Sequence, residues 1–287
     1  MNAMPHPPKS VGQVLSEGWE LFIAGLPTLF PWVLVAELLQ ETPLANPPGS
    51  ILTTDLSLYG QPDYLVRALL IGVLQALFYG VAVQGLTGTT PGTAWWPGLR
   101  AVPSVLVGYI CYELIVAMGL VFTFAFFMLG MFIIGLLGGL VLCIVPLAPT
   151  AAASTALALF IFPAVLERKG PFAALGESSR LAKRSWVKVS LVISVPALAL
   201  LAASVVTDLT SIRHSLATGL DLWGRAQESG VSMEQADSLL AGFKAEPAAS
   251  RYELWQVVGT VLGAFAWWYT LAVCYAQYRD LKASEEG

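Results

Sequence analysis

Charge is scarce in this 287-residue sequence: Asp, Glu, Lys and Arg together make up 12% of it, against about 25% in water-soluble domains. Basic charge in particular is short. A net charge of -4 and a pI near 5.2 leave no broad face for tracking phosphates, which argues against a nucleic-acid partner. Histidine is limited to His6 and His214, both in polar stretches, and Cys111, Cys143 and Cys274 stand in apolar segments with no C-x-x-C pair. Neither residue type outlines a metal centre or a disulfide framework, and the cysteines read as small packing residues. The motifs H-E-x-x-H, G-x-x-x-x-G-K-[ST] and G-x-S-x-G do not occur, which removes the common metal-hydrolase, nucleotide-hydrolase and serine-hydrolase readings. No cofactor and no enzymatic activity are expected. The first residues, with Pro7, Pro8 and a lone Lys9, lack an apolar core followed by a cleavage site, so no removable signal peptide is expected.

Apolar residues are what the chain does have, at 56% with a mean hydropathy of +0.69. Between residues 101 and 166 the single charge is Glu113. At ~1.5 Å per helical residue against ~30 Å of hydrocarbon, that stretch makes at least two membrane crossings. The expected fold class is therefore all-α, a polytopic transmembrane helical bundle of about six spans. They are placed at 21–39, 64–86, 101–126, 130–166, 187–206 and 255–275. Pro27 and Pro31, one turn apart, should bend the first; Pro146 and Pro149 should break the fourth near residue 146.

Residues 10–19 read as an interfacial lead-in, begun by a capping box at Ser10 and Gln13 and placing Trp19 at headgroup depth. Residues 41–63, rich in Pro and Gly, read as a loop with an apolar turn at 51–58, and residues 87–100 as a polar link anchored by Trp95 and Trp96. Residues 208–251 are the sizeable extramembrane piece, in which Ser232 can cap a helix edged by Leu239, Leu240 and Phe243. Charge decides the number of crossings better than length. With six spans, Lys9, Arg100, Arg168, Lys169, Arg180, Lys183, Arg184, Lys188, Arg279 and Lys282 fall on one side. Arg213, Arg225, Lys244 and Arg251 fall on the other, with Arg67 at its edge. The positive-inside rule then puts both termini in the cytoplasm and 208–251 on the opposite side of the membrane.

Polar groups inside the apolar spans are the candidate site: Glu37, Arg67, Gln75 and Glu113. Arg67 and Gln75 share a helix face, and an ion pair between Glu37 and Arg67 accounts for both charges. Glu113 lies about 20 Å along the third span. It is either a functional carboxyl or a protonated group hydrogen-bonded to Tyr112 or Gln75. Gly135-x-x-x-Gly139 and Gly259-x-x-x-Gly263 have the spacing that lets helices approach closely. Residues 167–186 form a basic amphipathic helix, with Phe172, Leu175, Ala182 and Trp186 on one stripe. Arg180, Lys183, Arg184 and Lys188 lie on another side, and with Arg168 and Lys169 they are candidate contacts to anionic headgroups.

The run Phe162-Pro163-Ala164-Val165-Leu166-Glu167-Arg168-Lys169-Gly170, followed by Ala174-Leu175, Ser178, Leu181 and Trp186, resembles the YciC-type bacterial inner-membrane proteins. It is also similar to the membrane domain that precedes the catalytic part of some glycerophosphodiester phosphodiesterases. The resemblance implies a helical inner-membrane protein and transfers no catalytic residues; no stretch corresponds to the phosphodiesterase barrel. Three functions follow as expectations. The first is an envelope or membrane-homeostasis role through contacts with membrane lipids or a partner membrane protein. The second is a small permease with a polar path around Glu113, and the third an accessory subunit or anchor docking through 208–251.

Overall fold

The computed structural model describes residues 8–40, 62–199, 202 and 254–286. Among them every regular element is an α-helix, the secondary structure that pairs its own backbone N–H and C=O groups without help from water. Helix α1 (Val11–Gly25) starts at the expected capping box. Ser10 Oγ accepts from the Gln13 N–H at 3.3 Å and the Gln13 side chain accepts from the Ser10 N–H at 2.8 Å. The lead-in and the start of the expected first span are thus one helix. It ends in a turn at residues 26–29, after which α2 (Phe30–Gln40) leaves at 86°. Pro27 and Pro31, each lacking an N–H, stand at this corner.

Helices α3 (Pro62–Leu86) and α4 (Pro91–Ile134) pack with Gly80 against Gly98 and Gly72 against Leu106. The expected link at 87–100 shrinks to residues 87–90: Thr90 sits at the N-cap, Pro91 opens the helix, and it continues through residue 101. Proline suits a first turn, where its missing N–H would have had no partner. The following turn falls at Gly135, where φ is 81° and ψ -162°, a conformation essentially reserved for glycine. Gly135 thus turns the chain, while Gly139 meets Met131 and Phe127, and Gly130 meets the backbone of Gly138.

Helix α5 (Leu136–Leu157) runs unbroken through Pro146 and Pro149, correcting the break expected near 146. Apolar spans tolerate proline inside a helix, and Thr150 Oγ1 adds a bond to the Pro146 carbonyl at 2.7 Å. The chain breaks instead at residues 158–160, because Ser178 there supplies what the helix loses. Its hydroxyl donates to the Ala156 carbonyl at 2.8 Å and accepts from the Leu159 N–H at 3.2 Å. Helices α6 (Ile161–Val165), α7 (Pro171–Arg184), α8 (Trp186–Ala199) and α9 (Leu254–Glu286) complete the described chain. The expected loop at 41–63, up to the start of α3 at Pro62, the continuation of the fifth span past Ala199 and the segment 208–251 lie outside the described residues.

The core gathers around Trp268, which is fully buried and donates its indole N–H to the Phe22 carbonyl at 2.9 Å. Gly18 and Gly25, two turns apart on α1, make room for Val273 and Trp268; a Cβ at Gly25 would stand 2.2 Å from the indole. By contrast, a Cβ at Gly263 would meet nothing within 4 Å, so the tight packing of α9 uses the glycines of α1 rather than that one. By length and composition four helices among the described residues can cross a membrane, or five if α1 and α2 count as one bent span. The architecture is that of a multi-pass helical bundle.

Both described ends of the chain meet at one end of that bundle. The Lys9 backbone N–H donates to Asp280 at 2.9 Å, Arg180 pairs with Glu285 at 2.5 Å, and Gln84 donates to the Val165 carbonyl at 3.0 Å.

Candidate functional site

Two places in the molecule collect polar chemistry. The first is a cavity of about 230 Å³ whose wall takes residues from α3, α4, α8 and α9 and from residues 158–162, the turn after α5 and the start of α6. Gln75, Tyr79, Tyr109, Tyr112, Thr270 and Cys274 contribute its polar atoms, and Phe160, Phe162, Ile193 and Trp267 are among its apolar ones. Three of these six side chains have hydrogen-bond partners. The Tyr79 hydroxyl donates to Glu37, Gln75 donates to the Ala36 carbonyl at 3.2 Å, and Thr270 donates to the Ala266 carbonyl at 2.7 Å.

Of the four expected intramembrane polar residues, only Gln75 lines this cavity, with Glu37 joined to it through Tyr79. Arg67 is exposed and forms no ion pair with Glu37 among the described residues. The reason is register: the corner at residues 26–29 lays α2 along α3 with Ala36 beside Gln75. Glu37 thus faces Tyr79, about 18 Å of helical rise from Arg67. Glu113 is also exposed; it interacts with Tyr109 one turn earlier on α4 and does not line the cavity. Tyr112 does line the cavity.

The second place is the end of the bundle where α7 meets α9. Glu177 accepts from Arg180 at 2.7 Å and from Lys282 at 2.6 Å, and lies 3.2 Å from Lys169. Arg180 and Arg184 reach Glu285, Lys282 also reaches Glu167 at 2.8 Å, and Lys188 binds Asp280 at 2.5 Å. The Arg180 guanidinium, followed by Lys282 and Lys169, holds the Glu177 carboxyl well below the usual carboxylate range. Burial pushes Glu167 upward, but Lys169 and Lys282 outweigh it and leave Glu167 lowered. Charge-assisted bonds of this kind fasten α7 to α9.

Of the cations expected to meet lipid, Lys169, Arg180, Arg184 and Lys188 are therefore engaged with carboxylates, while Arg168 and Lys183 are exposed and have no ion pair among the described residues. The expected apolar stripe also divides. Ala182 is buried with Ala174, Ser178 and Leu181 against the bundle, whereas Phe172 and Trp186 stay exposed. Trp19 and Trp96 are exposed as well, and Arg100 lies over the Trp96 ring at 5.1 Å.

Sequence reasoning missed Tyr79, Tyr109, Thr270, Glu177, Asp280 and Glu285. Glu177 had a signal, since it precedes Arg180 by one helical turn. Asp280 and Glu285 had none without the fold. No cluster of His, Cys, Asp and Glu able to hold a metal ion occurs among the described residues. Compared with known proteins, the chain matches no family model, no curated protein and no solved structure.

Proposed function

We propose that this chain is a non-enzymatic integral protein of a bacterial inner membrane, both ends cytoplasmic, that serves envelope upkeep by contacting anionic lipids at the α7–α9 end. One observation carries the reading: the exposed rings of Phe172 and Trp186 alternate along one short segment with the exposed cations Arg168 and Lys183. Aromatic rings favour the headgroup layer and cations the anionic lipids within it. The resemblance of residues 162–186 to YciC-type proteins supports the same reading. A permease built around Glu113 has less support, because that carboxyl lies outside the cavity.

The test is the full chain in nanodiscs of mixed anionic and zwitterionic lipid, with co-purifying lipids counted by native mass spectrometry. Wild type should retain anionic lipid preferentially. The double variant Arg168→Glu, Lys183→Glu should reduce that preference at least about thirtyfold, since two surface cations at about 1 kcal/mol each are lost. A wild type indifferent to headgroup charge overturns the proposal.

A further inference from the structure

The cavity between α3, α4, α8 and α9 has no role in the headgroup contact, and its wall has a specific chemistry. Two of its hydroxyls and its amide are donors already committed elsewhere, Tyr79 to Glu37, Thr270 to Ala266 and Gln75 to Ala36. What remains facing the space is mostly carbon: Val105, Leu106, Phe160, Ile193 and Leu271. An anionic headgroup finds no cation among the lining residues and has Glu37 behind the wall, which excludes phosphate and carboxylate from the interior. The volume, about 230 Å³, exceeds that of an apolar protein cavity of about 150 Å³ that stays dry and admits benzene.

The access route is lateral. Tyr109 on α4 is 42% exposed and Ala197 on α8 is exposed, so the wall reaches the apolar outer surface of the bundle between these two helices. Toward the charged end the route is closed: Phe162 packs on Tyr275 and Tyr278, and the Tyr278 hydroxyl donates to Glu167. A water-soluble solute has no entry from that end. An alkyl chain in the surrounding bilayer does.

We propose that this cavity holds the alkyl chain of a membrane amphiphile, admitted sideways between α4 and α8, with its headgroup left outside. The inference rests on the membrane reading but not on any preference for headgroup charge.

The test uses membranes containing the full chain and a zwitterionic phospholipid bearing a diazirine in its acyl chain, irradiated and mapped by peptide mass spectrometry. Peptides carrying Tyr109 and Thr270 from the wall should be labelled, as should the hairpin peptide carrying Phe124 and Phe132. Ala197→Trp, which plugs the rim, and Leu106→Trp, which fills the space from α4, should each lower wall labelling about tenfold and leave hairpin labelling unchanged. Unlabelled walls beside a labelled hairpin overturn the inference alone. So does wall labelling that neither variant separates from the hairpin's. Failure to label either region overturns the membrane reading with it.

Discussion

The second half of α4 is the more apolar of the two and yet the less buried. In the first half Ala94, Ala101, Val102 and Val105 are buried, and Gly80 and Gly98 bring α3 and α4 into backbone contact. Extending that register places the start of α3 abreast of roughly residue 116, so about the last 27 Å of α4 continues past it. There Val121, Phe124 and Phe132 are 68%, 65% and 83% exposed, and the returning α5 leaves Leu137 and Val141 exposed in turn. Apolarity therefore does not predict burial in this molecule. A water-soluble protein does not keep a patch of that extent open. In lipid the patch costs nothing, because hydrocarbon is as apolar as leucine and supplies no force driving the helices together. Stability must then reside unevenly: in the bundle from packing around Trp268, in the hairpin from its own backbone bonds and the close approach of Gly130 to Gly138.

The largest expected effect that tests this division is Trp268→Ala. It empties the most buried large side chain and orphans the Phe22 carbonyl, for about 3–5 kcal/mol. Phe132→Ala removes a ring of comparable class at the hairpin and should stay within about 0.5 kcal/mol. Thermal unfolding in detergent, read by size-exclusion chromatography, measures both; equal losses would abolish the contrast. Ser178→Ala comes next. It leaves the Ala156 carbonyl and the Leu159 N–H without a partner at a buried break, for about 1–3 kcal/mol. Limited proteolysis should then open the chain near residues 158–160 before it touches Gly135.

Much of the bundle was legible because lipid makes hydropathy nearly sufficient: helices, the corner at Pro27 and the capping box at Ser10 follow from local chemistry. The misplaced boundaries have one cause. Thr87–Arg100 looks polar, yet Pro91 begins a helix there, and Pro146 looks like a breaker, yet the apolar setting accommodates it. The real break at residues 158–160 was invisible because its cause, Ser178, comes twenty residues later in the chain. The spaced glycines were legible in kind but not in place: Gly18 and Gly25 share a face by their seven-residue interval, as readily seen as the Gly259-x-x-x-Gly263 that was expected to pack. Least legible was the site. Pairing Glu37 with Arg67 by depth ignored Tyr79, a neutral donor that satisfies a carboxylate without a second buried charge.

The smallest expected effect distinguishes the regions by pH. No acidic or basic group occurs between residues 114 and 166, so protonation has nothing to act on in the hairpin. The α7–α9 end holds Glu177 and Glu167 below the carboxylate range, Glu177 chiefly through Arg180 and Glu167 through Lys169 and Lys282 acting against burial. A carboxyl lowered in the folded state adds stability that is fully present above its unfolded value, about 4.3 for Glu, and is lost as the pH falls below it. Acidification from about pH 7 to about pH 3 should therefore lower the unfolding temperature and expose α7 to protease while the turn at Gly135 stays protected. Glu177→Gln should cost about 1 kcal/mol at neutral pH and shrink the acid effect, since part of what acid removes is already gone. An acid response of the same size in Glu177→Gln as in wild type would mean that these ion pairs do not hold α7 to α9, and the packing of Ala174, Leu181 and Ala182 would be left to hold it alone.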